Sequence, residues 1–177
     1  MAHRLPRLSL LGLLALPACQ APEPDSASPA LSVGNPAYRA SLFSPLLELE
    51  GRWRLAGTED ITEFQLSSGG TVLRETMFPG TDHEMTNMYT LEGDSIVMTH
   101  YCARGNQPRM RTDVLGSGRL DFEFENVTDL SAADEVYMGE MSLVWTDEDH
   151  IEQRWRSFVA GEYQEGQEMV FELSRVE

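Results

Sequence analysis

The chain has 177 residues, with 29 acids against 13 bases and a formal net charge of -16; every base is an arginine. Without lysine there is no Schiff-base or lysine-nucleophile chemistry, and so large an acidic excess excludes a nucleic-acid binder. The 14 glycines and 9 prolines interrupt any long helical stretch, and the length suits one domain.

The N-terminus reads as an address. Residues 1–9 carry His3, Arg4 and Arg7 and no acid, and residues 10–16 are almost wholly leucine and alanine. A basic start before a short apolar run is the pattern of a secretory signal, and the run is too short to span a bilayer. Leu16-Pro17-Ala18-Cys19 then resembles the lipobox of bacterial lipoproteins, with Pro17 where a small residue is usual. The resemblance implies cleavage before Cys19, acylation of that residue and anchorage in a lipid membrane. Two or three acyl chains hold stably where one does not. By the same resemblance, Gln20 in place of aspartate implies the cell envelope, at the outer membrane facing the periplasm. Loss of residues 1–18 removes two arginines and no acid, so the mature charge is 11 minus 29, or -18. With Cys19 acylated, Cys102 is the one free thiol, and an exported domain must then be held by core packing without an intrachain disulfide.

Three segments are expected: a signal peptide over 1–18, a lipidated start and flexible tether over 19–45, and one β-domain over 46–177. Residues 20–35 are rich in proline, serine and alanine, without periodicity. A helical turn is expected over Tyr38–Phe43, and Ser44-Pro45-Leu46-Leu47-Glu48 offers a cap, a proline at the first helical position and an early acid, so a short helix is predicted to start at Ser44 and stop at Gly51.

Beyond Gly51 the apolar period is two. Turn signals recur at roughly 8–12 residues, which predicts an antiparallel up-and-down meander of about ten strands. Closing it into a barrel removes the edges. Three hairpin registers can be written down. A turn at Gly93-Asp94 sets Leu91 against Ile96, Tyr89 against Met98, Asn87 against His100 and Met85 against Cys102. A three-residue loop at 116–118 sets Val114, Thr112 and Met110 inward against Leu120, Phe122 and Phe124, with Arg111–Glu123 and Arg109–Glu125 outside. A loop at 147–149 sets Trp145, Leu143 and Met141 inward against Ile151, Gln153 and Trp155, with Glu140–Arg156 outside. Each interior is largely apolar and each exterior pairs opposite charges.

In this arrangement the chain resembles the calycins, the group of lipocalins and fatty-acid-binding proteins. Gly51-Arg52-Trp53 after a short helix is similar to the motif that opens the lipocalin barrel, and Arg175 on the last strand stands where the family's late arginine stacks on that tryptophan. The segment from Thr99 to Met110 also resembles a signature of uncharacterised bacterial barrels, which implies no activity.

Candidate chemistry concentrates in residues 95–112, eighteen positions without an acid. The registers put His83, Asn87, Tyr89, His100, Cys102 and Thr112 on the inner face, and Arg104, Asn106 and Gln107 at the same end as His83 and Cys102. That end is the expected mouth of a ligand pocket. His83, Asn87, Tyr89, His100, Cys102, Arg104, Asn106, Gln107 and Trp155 are its candidate lining, over a floor of Met98, Met110, Phe122 and Phe124. The competing reading is a filled core in which Asn87 and His100 bond each other. The expected role is non-enzymatic binding of a small, partly apolar or amphipathic ligand, without a cofactor. The alternatives are a structural or protein-interaction lipoprotein, and a metal or haem binder using His83, His100 and Cys102. Glycine-rich phosphate loops, the nucleophile elbow and the His-Glu-x-x-His motif do not occur.

Overall fold

The computed structural model describes residues 32–176; the expected signal segment, Cys19 and the expected tether up to residue 31 lie outside them. One helix, α1 (Pro36–Leu47), precedes the strands β1 (Gly51–Leu55), β2 (Ile61–Ser67), β3 (Val72–Met77), β4 (Met85–Glu92), β5 (Ser95–Tyr101) and β6 (Gln107–Thr112). After these come β7 (Leu115–Gly116), β8 (Arg119–Thr128), β9 (Val136–Trp145), β10 (His150–Val159) and β11 (Glu162–Val176). Apart from β6 and β7, consecutive strands pair antiparallel. β1 closes on β11, and β6 pairs β8 directly past the two-residue β7, which makes a closed ten-strand antiparallel barrel. Alternation drives this closure. Leu73, Tyr89, Met98, Met110, Phe122, Met141 and Trp155 occupy one parity of their strands and are at most 1% exposed.

The helix begins earlier than Ser44. Asn35 is its cap, accepting from the amides of Ala37 (3.0 Å) and Tyr38 (3.3 Å), with Pro36 in the first turn. Residues 36–45, assigned above to the tether, are therefore helical. Pro45 sits inside the helix, and the Ser44 hydroxyl donates to the Ser41 carbonyl (3.0 Å), the group that a residue-45 amide would have bonded. Leu42, Phe43 and Leu46 are buried in the core, and the Asn35 amide donates to Asp94 (2.5 Å), so the helix lies across the barrel end that carries the β4–β5 turn. At this end the Trp53 indole donates to the Leu49 carbonyl (2.8 Å). The Arg175 guanidinium lies 4.4 Å over the Trp53 ring and donates to the carbonyls of Glu48 and Glu50.

The hairpins at 93–94 and 147–149 have the registers written above, down to Asn87↔His100 and Met141↔Trp155. The middle hairpin keeps the expected pairings Met110↔Phe124 and Arg111↔Glu123 and differs elsewhere. Gly116 pairs Arg119, so the turn is Ser117-Gly118, and a bulge after Arg109 sets that residue against Asn126. Val114, expected inside, is 61% exposed, and Phe124 is 39% exposed. The cause is that β8 stays with β9 only over Arg119–Phe122. Past that point β8 stays paired with β6 but not with β9, and Phe124 packs on Tyr137 and Phe158, at ring separations of 5.2 and 6.4 Å. Arg109 and Arg111 do face outward, but both bond Glu92 and Glu125 rather than Glu123.

Candidate functional site

The barrel centre is polar. Glu75, on the inward parity of β3 between Leu73 and Met77, is fully buried. Its Oε1 accepts from Gln153 Nε2 (2.6 Å), and its Oε2 accepts from Asn87 Nδ2 (2.7 Å) and the Tyr89 hydroxyl (2.7 Å). Three neutral donors and no cation surround this carboxyl. Burial pushes its pKa above the usual carboxylate range, against the downward pull of the three hydrogen bonds. Burial also pushes the Tyr89 phenol well above its ordinary value, with the adjacent Glu75 adding to the shift.

The network runs on to a histidine. The Asn87 amide nitrogen is committed to Glu75, so its oxygen must accept from His100 Nδ1, 2.6 Å away. The proton is thereby fixed on Nδ1, and Nε2 is left as an acceptor. Burial lowers the His100 pKa to about 4, so the ring is neutral near neutral pH. Its face lies 4.9 Å from Trp155, whose indole donates to Gln153 (3.4 Å). The contacts close a loop through β3, β4, β5 and β10 that ties opposite walls together.

On one side of this polar layer the barrel is open. A cavity of about 470 Å³ is lined by His83, Met85, His100, Cys102, Ala103 and Arg104 from the β3–β4 and β5–β6 side. Met77, Val136, Met138, Trp155, Ser157, Gln167, Met169 and Phe171 complete it. The volume is within the range of small-molecule sites. Of the nine candidate residues, His83, His100, Cys102, Arg104 and Trp155 line this space. Asn87 and Tyr89 lie one layer deeper and hold His100 and Glu75. Asn106 is buried outside it, donating to Glu135 (2.7 Å) and to the Val136 carbonyl (3.1 Å). Gln107 is turned to the rim, donating to Gly105 (2.5 Å) and accepting from Thr128 (2.9 Å). Met98, Met110 and Phe122 are core rather than floor; the apolar lining comes from four methionines, Trp155 and Phe171. The bonded Asn87–His100 pair and an open cavity thus coexist, at different depths.

His83 is exposed at the rim while His100 is buried, and among the described residues no three His, Cys, Asp or Glu side chains gather to hold a metal ion. The three residues named for a metal therefore do not form a ligand set.

The sequence reading missed Glu75 and Ser157. Both stand on inward parity, Glu75 between Leu73 and Met77 and Ser157 two places after Trp155. The alternation that located His100 would have flagged each of them. A second hollow of about 730 Å³ lies at the helix end, between Pro45, Leu49, Trp53, Trp145 and Arg175. No described helix is long and apolar enough to cross a membrane. No protein-family model matches the chain, and none of the curated proteins matches it.

Proposed function

We propose that the protein is a calycin-like bacterial lipoprotein, cleaved before Cys19 and anchored by acyl chains at the outer membrane, whose barrel binds a small, partly apolar molecule. The observation that carries the binding reading is the 470 Å³ cavity, with its apolar walls and the buried Trp155 and His100 side by side at its base. The anchor rests on Leu16-Pro17-Ala18-Cys19 after a basic, then apolar start. The lipocalin likeness rests on Trp53 and Arg175 stacked at the helix end.

Native mass spectrometry of protein extracted from membranes in mild detergent tests both parts. The expected species lacks residues 1–18, carries acyl mass on Cys19 and retains a small molecule that is lost on organic extraction. A chain with an unmodified Cys19 overturns the anchor. A chain that carries no small molecule, and whose tryptophan emission is unmoved by envelope lipid extracts, overturns the binding role.

A further inference from the structure

The cavity's polar side chains fall into two groups. His83, Arg104 and Gln167 are exposed at the rim and Cys102 is half-buried, whereas His100 and Ser157 are 2% and 3% exposed. The Ser157 hydroxyl has no hydrogen-bond partner in the protein. A buried hydroxyl left unpaired beside a cavity is costly, and it becomes satisfied when a ligand brings a polar group to it. The wall is irregular at this residue. The β9–β10 ladder shifts register between Arg156 and Ser157, opposite Gly139, and the β10–β11 ladder shifts between Arg156 and Phe158. Bulges of this kind re-aim side chains beside functional sites.

The inner group contains no cation. His100 is neutral with an acceptor at Nε2, Ser157 both donates and accepts, and the nearest buried ionisable group beyond them is the acid Glu75. A carboxylate taken to this depth would lose its water without gaining a counter-charge. A carboxylate held at the rim by Arg104, with its chain pointing inward, would bury Ser157 and His100 Nε2 against hydrocarbon. An uncharged hydroxyl meets both needs, because it donates to His100 Nε2 and pairs with Ser157.

We propose that the ligand is an uncharged, hydroxyl-bearing amphiphile that enters polar end first, with its hydroxyl between His100 and Ser157 and its apolar body against the methionines, Trp155 and Phe171. This rests on the binding role proposed above and adds the chemical class and orientation of what is bound.

Equilibrium dialysis of the folded protein at pH 7.5 against dodecanol and dodecanoate, two probes of equal chain length, tests it. Dodecanol is expected to bind at least tenfold more tightly than dodecanoate. Ser157→Ala removes a hydroxyl that bonds nothing in the protein, so it is expected to leave folding intact while weakening dodecanol about tenfold. Equal or tighter binding of dodecanoate, lost in Arg104→Ala, would show a head-out acid and overturn the proposal while sparing the binding role. Unaltered dodecanol affinity in Ser157→Ala also overturns it. If neither probe binds, the binding role itself falls.

Discussion

Glu75 is the residue on which the interior is organised, because three side chains from two other strands spend their donors on it. Replacing it with leucine leaves the donors of Asn87, Tyr89 and Gln153 unpaired in a dry interior, at ~1–3 kcal/mol each. Glu75→Leu is therefore expected to lower the unfolding free energy by about 3 kcal/mol or more, measured by urea denaturation. Glu75→Gln recovers part of the loss, since its carbonyl still accepts from Asn87 and Tyr89. His100 gives stability a pH dependence of known sign. Burial lowers its pKa from 6.5 to about 4, so the unfolded chain takes up a proton that the folded chain refuses. Stability present above pH 6.5 is then lost as pH falls towards 4, by about 2 kcal/mol at pH 5. Glu75 acts with the opposite sign, its raised pKa favouring the fold as pH falls towards 4.5. The His100 share is therefore read as the difference in slope between the wild type and His100→Phe; a slope that is no shallower in the variant would contradict this account.

At the scale of the element, α1 and the β9–β10 ladder each depend on one local feature. Asn35→Ala removes the cap of the helix that crosses the barrel end, and a loss of about 1 kcal/mol is expected. Gly139 owes its place to Phe158, whose ring lies 2.3 Å from where a Cβ would stand. Gly139→Ala must push that ring or the bulge beside it, at an expected cost of about 1–3 kcal/mol. The urea midpoint checks both variants. Strand parity was legible for these elements because alternation is local: two hairpin registers could be written from their turns alone. The middle hairpin could be written only in part, its Met110↔Phe124 and Arg111↔Glu123 pairs but not its turn. Nothing near Phe124 in sequence signals that β8 parts from β9 after Phe122, since that depends on how the closing barrel curves. The helix start was misread because Ser44-Pro45 imitates an N-terminus; Asn35-Pro36 does the same nine residues earlier and is backed by burial of Leu42 and Phe43.

Across the whole molecule, the two ends of the barrel do different work. At the helix end, α1, Leu49 and the Trp53–Arg175 stack cover the core and border the 730 Å³ hollow, while the other end keeps the cavity that reaches down to the polar layer. Filling that cavity should stabilise the fold by mass action, by about 2.7 kcal/mol at a hundredfold excess over Kd. Differential scanning calorimetry is expected to show the Tm rising by several degrees with saturating dodecanol, and the rise should be about halved in Ser157→Ala at equal concentration, since a tenfold weaker Kd leaves about 1.4 kcal/mol of that stabilisation. The outer surface carries the acidic excess and the shared ion pairs of Arg109 and Arg111 with Glu92 and Glu125. Exposed pairs of that kind contribute ~0–1 kcal/mol each and weaken with salt, so they are no rival to the interior network.

By itself the sequence determined the strand faces, the approximate strand number, the end at which polar groups collect and the pairing of Asn87 with His100. Each of these follows from a period of two acting over a few residues on either side of a turn. The tertiary structure decided which polar groups meet across the barrel. Gln153 and Glu75 are 78 positions apart and touch because closure brings β3 and β10 face to face. It also decided that Ser157 has no partner and that Asn106 and Gln107 turn away from the hollow. Contact between distant strands depends on barrel diameter and on where the bulges fall, and those are set by the packing of the whole core.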